Sequence, residues 1–88
     1  MIMTENSELN RVFWHSRRGM LELDLVLVPF VKNVYANLPT HEQDIYKRLL
    51  ECEDTELFAW ALQKSKPADA ELAMIMDKII QYAKQTID

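Results

Sequence analysis

The side chains best able to do chemistry lie in one short stretch, residues 17–24, which reads RRGMLELD. Arginine carries a planar guanidinium that can bind a carboxylate through two parallel hydrogen bonds. Arg18 and Glu22 stand four residues apart and could pair along a helix, but an exposed pair of this kind contributes only about 0.3–0.5 kcal/mol. The stretch is therefore either a set of solvated charges around a helix break or an Arg/Glu pair that is presented to a partner protein.

Gly19 is the only glycine in the chain. A lone glycine here indicates a positive φ angle or the close approach of another backbone, because a Cβ is penalised in both situations. Trp14 and His15 precede this turn, and an aromatic ring beside a basic turn can be half exposed and open to a partner. We interpret His15 as a partner contact or a helix-end residue and not as a general base. The turn around Arg18 and Gly19 is the predicted docking surface.

Most residue patterns that signal catalysis are missing from the sequence. One glycine cannot build a phosphate-binding loop, and His41-Glu42 lacks the second histidine of a zinc-binding helix. Cys52 stands in an acidic segment, where neighbouring carboxylates raise the pKa of a thiol, so we predict a buried or half-buried bystander. The sequence therefore predicts a binding protein and not an enzyme, with no catalytic residue, no metal ligand and no stably bound cofactor.

The composition fits one small intracellular domain. Domains typically contain about 100–150 residues, so a chain of 88 residues is not expected to divide, and 49% hydrophobic residues can supply a core. The single cysteine excludes an internal disulfide and fits a reducing compartment. The first ten residues are polar and acidic, unlike a signal peptide, and the longest apolar run, Leu25–Val31, is too short to span a bilayer. We expect a cytoplasmic monomer without membrane insertion.

The net charge of −4 argues against general binding to nucleic acid, which depends on neutralising phosphates. The charge is unevenly spread along the chain. Arg11, Arg17 and Arg18 make the start basic, whereas residues 51–56 carry four acidic side chains. Two interpretations are open, namely two separate solvated faces or a patch that faces a partner.

The spacing of apolar residues predicts an all-α fold, a compact single-domain five-helix bundle that spans residues 1–88. Residues 1–6 are expected to be disordered. The five predicted helices run from Ser7 to Ser16, from Met20 to Leu38, from Thr40, from about Asp54, and from the residues that follow Ser65–Lys66.

The second of these segments is ambiguous. Leu21–Val28 alternates as a half-buried strand does, yet the sequence contains no second strand pattern that could pair with it. We interpret the segment as a helix, which Pro29 must kink or divide, because its ring clashes with the carbonyl four residues earlier. The apolar stripe of this helix would consist of Leu23, Leu27, Phe30, Val31 and Val34.

Start signals and apolar faces mark the remaining helices. Thr40-x-x-Gln43 matches a capping box, Asp54 is a good N-cap, and Pro67 suits a first helical position, where its missing amide hydrogen does no harm. The predicted inner faces are Ile45, Tyr46, Leu49 and Leu50 in the third helix, Leu57, Phe58, Trp60, Ala61 and Leu62 in the fourth, and Leu72, Ile75, Met76, Ile79 and Ala83 in the fifth.

Around the turn at Arg18 and Gly19, and outward from it, the sequence resembles the SdhE family, the small flavinylation (assembly) factors of succinate dehydrogenase and fumarate reductase. The Arg-Gly-x-x-Glu motif of that family stands here as Arg18-Gly19-Met20-Leu21-Glu22, followed by Leu23-Asp24. Five residues alone would be a weak signal, but the resemblance runs in order over about residues 8–80. It includes Pro29-Phe30, Tyr46 with Leu49-Leu50, Asp54 with Leu57 and Trp60, and the segment Lys66–Leu72.

The resemblance implies a five-helix bacterial protein that binds the flavoprotein subunit of succinate dehydrogenase and promotes covalent attachment of FAD to it. The resemblance leaves open whether fumarate reductase is a second client, and it implies a chaperone that binds no FAD stably itself. Arg18, Gly19 and Glu22 match the family motif. The full set of predicted partner-binding residues is Trp14, His15, Arg17, Arg18, Gly19, Met20, Glu22 and Asp24.

Three classes of function are open on the sequence alone. The first, which we favour, is the FAD assembly factor in the bacterial cytoplasm. The second is a regulatory protein, such as the antitoxin-like partner of a membrane-associated toxin. The third is an enzyme or carrier that holds a flavin itself, although the sequence carries no dinucleotide-binding signature.

Overall fold

The computed structural model describes residues 7–87 of the 88-residue chain. Within this range the chain folds into five α-helices and one short 3-10 helix, without a strand. The predicted all-α five-helix bundle is confirmed, whereas the expected disorder of residues 1–6 lies outside the described residues. The elements are α1 (Ser7–Ser16), α2 (Leu21–Asn33), the 3-10 helix (Tyr35–Asn37), α3 (Thr40–Leu49), α4 (Asp54–Ala61) and α5 (Ala70–Ile87).

Helix α2 lies at the centre of the bundle. It packs against α1, α4 and α5, and α5 also packs against α3. The buried side chains of α2 are spaced by three and four residues, so they share one helix face, and they are Leu23, Leu27, Phe30 and Val31. This stripe is the one that the sequence predicts, except that Val34 is only half buried. Of the helices within residues 7–87, none is long and apolar enough to cross a membrane.

Tyr46 is fully buried where α1, α2 and α3 meet. Its ring centroid lies 5.6 Å from that of Phe30 and 5.4 Å from that of Tyr35, which is within the usual range for packed aromatic pairs. The Tyr46 hydroxyl lies 2.7 Å from Oγ of Ser16, which donates its only hydrogen to the Val12 carbonyl at 2.8 Å. Tyr46 therefore donates to Ser16. Burial raises the pKa of Tyr46, so the phenol stays protonated and keeps this bond.

Helix α2 runs through Pro29, so of the two predicted outcomes, a kink or a division, the division does not occur, and the helix ends at Asn33 and not at Leu38. Proline has no amide hydrogen, so the carbonyl of Leu25, four residues earlier, loses its helical partner. Leu25 is 65% exposed, so this part of the helix borders on solvent. Water can replace the missing donor there, which is why the helix continues.

The predicted capping box of α3 does not form. The helix begins at Thr40 as expected, but Pro39 takes the cap position, and its carbonyl accepts hydrogen bonds from the amides of Glu42 at 2.9 Å and Gln43 at 3.0 Å. The Gln43 side chain instead donates to the Tyr35 carbonyl at 2.9 Å. This bond fastens α3 to the 3-10 helix that precedes it.

The cap of α4 is Glu53 and not Asp54. The Glu53 amide donates to Oε1 of Glu56 at 3.3 Å, so these two residues form the first turn between them. Asp54 becomes the first residue of the helix. Its carboxylate is thereby released from capping and can pair with a more distant group.

Helix α5 begins at Ala70, so Pro67 precedes the helix and does not open it. Asp69 is the cap, and its Oδ1 accepts hydrogen bonds from the amides of Glu71 at 2.8 Å and Leu72 at 3.2 Å. These bonds lower the pKa of the Asp69 carboxyl. Arg48 of α3 also binds this helix start, through Asp69 at 2.7 Å and Glu71 at 2.6 Å.

The predicted inner faces are confirmed with one exception. Leu62 is 48% exposed, because it is the C-cap of α4 and stands beyond the last packed turn. Phe58, Trp60, Ala61 and Leu72 are partly buried against the core. The fully buried members are Ile45, Tyr46, Leu49, Leu50, Leu57, Ile75, Met76, Ile79 and Ala83.

Gln63 ends α4 in a left-handed conformation, with φ of 61°. The Lys64 amide bonds the Ala59 carbonyl at 2.9 Å and the Gln63 amide bonds the Trp60 carbonyl at 3.0 Å. This pair of bonds is a Schellman motif, in which the left-handed position usually holds glycine because a Cβ is strained there.

We expect Gln63→Gly to raise the free energy of unfolding by roughly 0.5–1 kcal/mol, because glycine removes the strain of the left-handed conformation. Urea unfolding followed by circular dichroism measures the change. Gln63→Ala is the matched control, since alanine keeps the Cβ and should gain nothing. Equal stabilisation by both substitutions would show that the side chain of Gln63, and not its backbone conformation, is the unfavourable element.

Candidate partner-binding site

The turn between α1 and α2 depends on Gly19, whose φ is +79°. Side chains other than glycine rarely adopt this conformation, so the backbone itself requires the glycine. A Cβ built on Gly19 would meet no other atom within 4 Å. The space outside the turn is therefore open, and another molecule can approach this backbone closely.

Asp24 holds the turn from the side of α2. Its Oδ1 accepts a hydrogen bond from the Arg18 amide at 2.9 Å, and its Oδ2 lies 3.5 Å from Nε of Arg17. The amide of Asp24 in turn donates to the Met20 carbonyl at 3.0 Å. With only 16% of its side chain exposed, Asp24 acts mainly as an internal brace that connects α2 to the residues on both sides of Gly19.

The Arg18 side chain points into the protein, and only 12% of it is exposed. Its Nε donates to Oδ1 of Asp54 at 2.8 Å, and its Nη2 donates to the Cys52 carbonyl at 2.9 Å. Nη1 donates to the carbonyls of Leu50 at 2.9 Å and His15 at 3.1 Å. We call the Arg18 guanidinium with these four acceptors the Arg18 network.

The Arg18 network replaces the helical pairing of Arg18 with Glu22 that the sequence allows, because Arg18 bonds Asp54 instead. Its carbonyl acceptors lie at or just beyond the C-terminal ends of α1 and α3, where helices leave carbonyls without intrahelical donors. A cation is favoured at these negative helix ends, and the carboxylate of Asp54 is favoured at the positive start of α4. One guanidinium thus satisfies three helix termini.

The outward side of the turn presents a different set of groups. Trp14 is 64% exposed, its ring packs edge-on against Phe13 with centroids 5.3 Å apart, and the Arg17 guanidinium carbon lies 5.8 Å from its centroid. His15 and Glu22 are exposed as well. Within residues 7–87, the side chain of Glu22 makes no hydrogen bond or ion pair, so its carboxylate remains available to a partner.

The eight predicted residues therefore separate into two groups. Trp14, His15, Arg17, Gly19 and Glu22 are exposed, whereas Arg18, Met20 and Asp24 are partly buried and bind the rest of the protein. The prediction of a half-exposed Trp14 agrees with this arrangement. Arg18 is not presented to solvent as a free guanidinium.

Leu21 and Leu25 were not among the predicted contacts, yet they are 69% and 65% exposed. They stand four residues apart, so they lie on the same face of α2, beside Glu22. The signal was present in the sequence, since a core stripe at Leu23 and Leu27 must turn Leu21 and Leu25 away from the core.

Cys52 is half buried, and burial is the main reason that the pKa of its thiol is raised, with the Glu56 carboxylate adding to the effect. Its carbonyl, and not its sulfur, belongs to the Arg18 network. The thiol is therefore protonated at neutral pH and a weak nucleophile. In the described part of the chain, no group of three or more His, Cys, Asp or Glu side chains is placed to hold a metal ion.

Comparison with known proteins places this turn within a length of chain that matches a protein family. Residues 10–83 match the protein family described as flavinator of succinate dehydrogenase. The chain is 53% identical over 81 residues to the FAD assembly factor SdhE of Pseudomonas savastanoi, covering 88% of this chain and 96% of that protein. It is 49% identical to the protein of the same name from Pseudomonas aeruginosa, with the same coverage. The corresponding protein of Shewanella oneidensis is 47% identical over 75 residues, covering 85% and 92% of the two chains.

We expect Gly19→Ala to lower the free energy of unfolding by about 1–2 kcal/mol, because alanine is strained at positive φ although its Cβ meets no neighbour. Gly19→Asn should lose less, since asparagine tolerates this conformation better than most residues. Both variants should keep the far-ultraviolet circular dichroism of the native fold. If alanine and asparagine prove as stable as glycine in urea titrations, the turn does not have a positive φ in solution.

We expect Cys52 to be alkylated by iodoacetamide with a pH midpoint higher in the folded chain than in concentrated urea. The folded thiol has the raised pKa, so the unfolded chain loses this proton first. The stability from this group is fully present below the unfolded pKa and is lost as pH rises from there through the folded pKa. Mass spectrometry of timed samples gives the rates. Identical midpoints in the two states would contradict the raised pKa.

Proposed function

Because the chain belongs to the family of flavinators of succinate dehydrogenase, we propose that it is an FAD assembly factor that binds the flavoprotein subunit of succinate dehydrogenase and promotes covalent attachment of FAD to it. The observation that carries this proposal is the match over residues 10–83, together with relatives named FAD assembly factor SdhE at up to 53% identity. The matched region contains the whole Gly19 turn and the Arg18 network.

The proposed docking surface consists of the exposed side of the turn. Trp14, His15, Arg17 and Glu22 would contact the flavoprotein, and the open space outside Gly19 would admit its backbone. An exposed aromatic ring with an arginine stacked on it is a common anchor of protein interfaces. Arg18, Met20 and Asp24 would support this surface from within.

Such a factor needs no catalytic group of its own. A protein that binds one conformation of its client more tightly than the others increases the population of that conformation. A preference of about 1.4 kcal/mol changes such a population ratio tenfold. We propose that docking favours the flavoprotein conformation in which FAD forms its covalent bond, and that the flavin stays with the client.

Three finer features belong to the same proposal. Fumarate reductase would be a second client, the factor would act as a monomer, and it would work in the bacterial cytoplasm. The free cysteine fits a reducing compartment of this kind. The antitoxin-like alternative finds no support among the named relatives, which are described as FAD assembly factors.

A reconstitution experiment tests the proposal. Purified flavoprotein subunit without flavin is incubated with FAD, with and without this chain, and covalent flavin is read as fluorescence that stays with the denatured subunit on a gel. The factor should increase the rate and yield of covalent flavin. An unchanged rate at saturating factor would refute the assembly role, and a purified factor with a flavin spectrum would favour a flavin carrier instead.

Glu22→Ala should weaken binding of the flavoprotein roughly tenfold, because it removes an exposed and unpaired carboxylate from the proposed docking surface. The fold should be retained, since the Glu22 side chain makes no hydrogen bond or ion pair within the described residues. Asp77→Ala is the matched control, as it removes an exposed carboxylate from α5.

Covalent flavin should form at the native rate with Asp77→Ala and more slowly with Glu22→Ala at limiting factor. Equal rates for the two variants, with both folded, would remove Glu22 from the docking surface.

A further inference from the structure

We propose that Asp54 is a positioning residue for the docking surface. Asp54 lies 36 residues after Arg18 in the chain and acts on the surface by holding the Arg18 side chain. The inference rests on the proposed function, because the position of the turn matters only if a partner docks there. It assigns a role in docking to the start of α4, which carries none of the predicted contact residues.

Asp54 is the only charged acceptor in the Arg18 network, since the other three acceptors are backbone carbonyls. A hydrogen bond between two ionised groups is shorter and about twice as strong as a neutral one. The bond to Nε, at 2.8 Å, also orients the guanidinium plane, because Nε lies nearest the aliphatic stem of the side chain. Nη1 and Nη2 are then aimed at the carbonyls beyond α1 and α3.

The position of the guanidinium fixes the position of the turn, because Arg18 is held both by its side chain and by its backbone amide. Its side chain is fixed to the α3–α4 connection and to Asp54, and its amide is fixed to Asp24 of α2. Gly19 follows directly and has more backbone freedom than any other residue type. Without the side-chain anchor, the angle at which α1 meets α2 would vary, and Glu22 would no longer be presented in one place.

The other acidic residues of the same segment cannot replace Asp54. Glu53 and Glu56 form the first turn of α4 with each other. Glu51 is exposed and makes no ion pair within residues 7–87. Only Asp54 combines the required position with a carboxylate that is free from capping.

The experiment compares two carboxylates at helix starts that pair with arginine. Asp54→Ala removes the partner of Arg18 at the docking turn, and Glu71→Ala removes a partner of Arg48 at the start of α5. Circular dichroism and urea unfolding establish that both variants fold. Binding to the flavoprotein subunit without flavin is then measured by calorimetry. Asp54→Ala should weaken binding roughly tenfold, as expected for residues in one network, and Glu71→Ala by less than about twofold, as expected for an exposed pair.

Hydrogen exchange of the free chain separates positioning from general stability. Asp54→Ala should speed exchange of the amides of residues 18–24, including the Arg18 amide that binds Asp24, and leave α5 unchanged. Glu71→Ala should not affect these amides. Adding Arg18→Ala to Asp54→Ala should weaken binding no further than Arg18→Ala alone, because both act through the same bond.

Native binding by a folded Asp54→Ala variant would overturn the proposal, as would equal losses in Asp54→Ala and Glu71→Ala. If Asp54→Ala fails to fold, Asp54→Asn replaces it, because asparagine keeps an oxygen acceptor for Nε of Arg18. Asp54→Asn should bind the flavoprotein more weakly than the native chain, and the amides of its turn should exchange faster. Native values for both binding and exchange would overturn the proposal. Failure of the native chain to bind the flavoprotein would refute the proposed function instead, and the exchange data on the free chain would still decide whether Asp54 positions the turn.

Discussion

The hydrogen bonds of the Arg18 guanidinium are the interaction on which this small bundle depends at the turn between α1 and α2. The guanidinium donates to carbonyls at or beyond the ends of α1 and α3 and to the carboxylate at the start of α4. Each partly buried carbonyl left without a donor would cost about 1–3 kcal/mol, which is a large share of the stability of a domain this small. The planar five-donor geometry of arginine suits this task, whereas lysine could not reach the same acceptors at once.

Fixing Arg18 in this way has a consequence for the surface. The backbone reverses at Gly19 immediately after the anchored residue, and Asp24 closes the turn from the other side. A rigid turn loses little conformational entropy on binding, so the contacts that its exposed groups make contribute more fully to affinity. The proposed docking role needs such a held and open surface, and it requires no nucleophile.

The ion pair between Arg18 and Asp54 also explains part of the uneven charge distribution along the chain. Arg18 of the basic start and Asp54 of the acidic segment bind each other, so these two charges pair within the protein. Arg17, Glu22 and Trp14 remain exposed, and Leu21 and Leu25 add an exposed apolar ridge. The proposed docking surface is therefore mixed in character, with charged and exposed apolar side chains, as protein interfaces commonly are.

The sequence by itself determined the five helices, the buried stripe of α2 and α3, and the importance of Gly19, because helix periodicity and the conformational preference of glycine are local properties. The tertiary structure alone decided that Arg18 binds Asp54 and not Glu22, that Glu53 caps α4, and that α2 continues through Pro29. In the sequence, several carboxylates were equally possible partners for Arg18. A helix can also lose one hydrogen bond, as α2 does at Pro29, wherever water replaces the donor. Packing decides which carboxylate comes within reach and which carbonyl faces solvent, so neither outcome can be read from spacing along the chain.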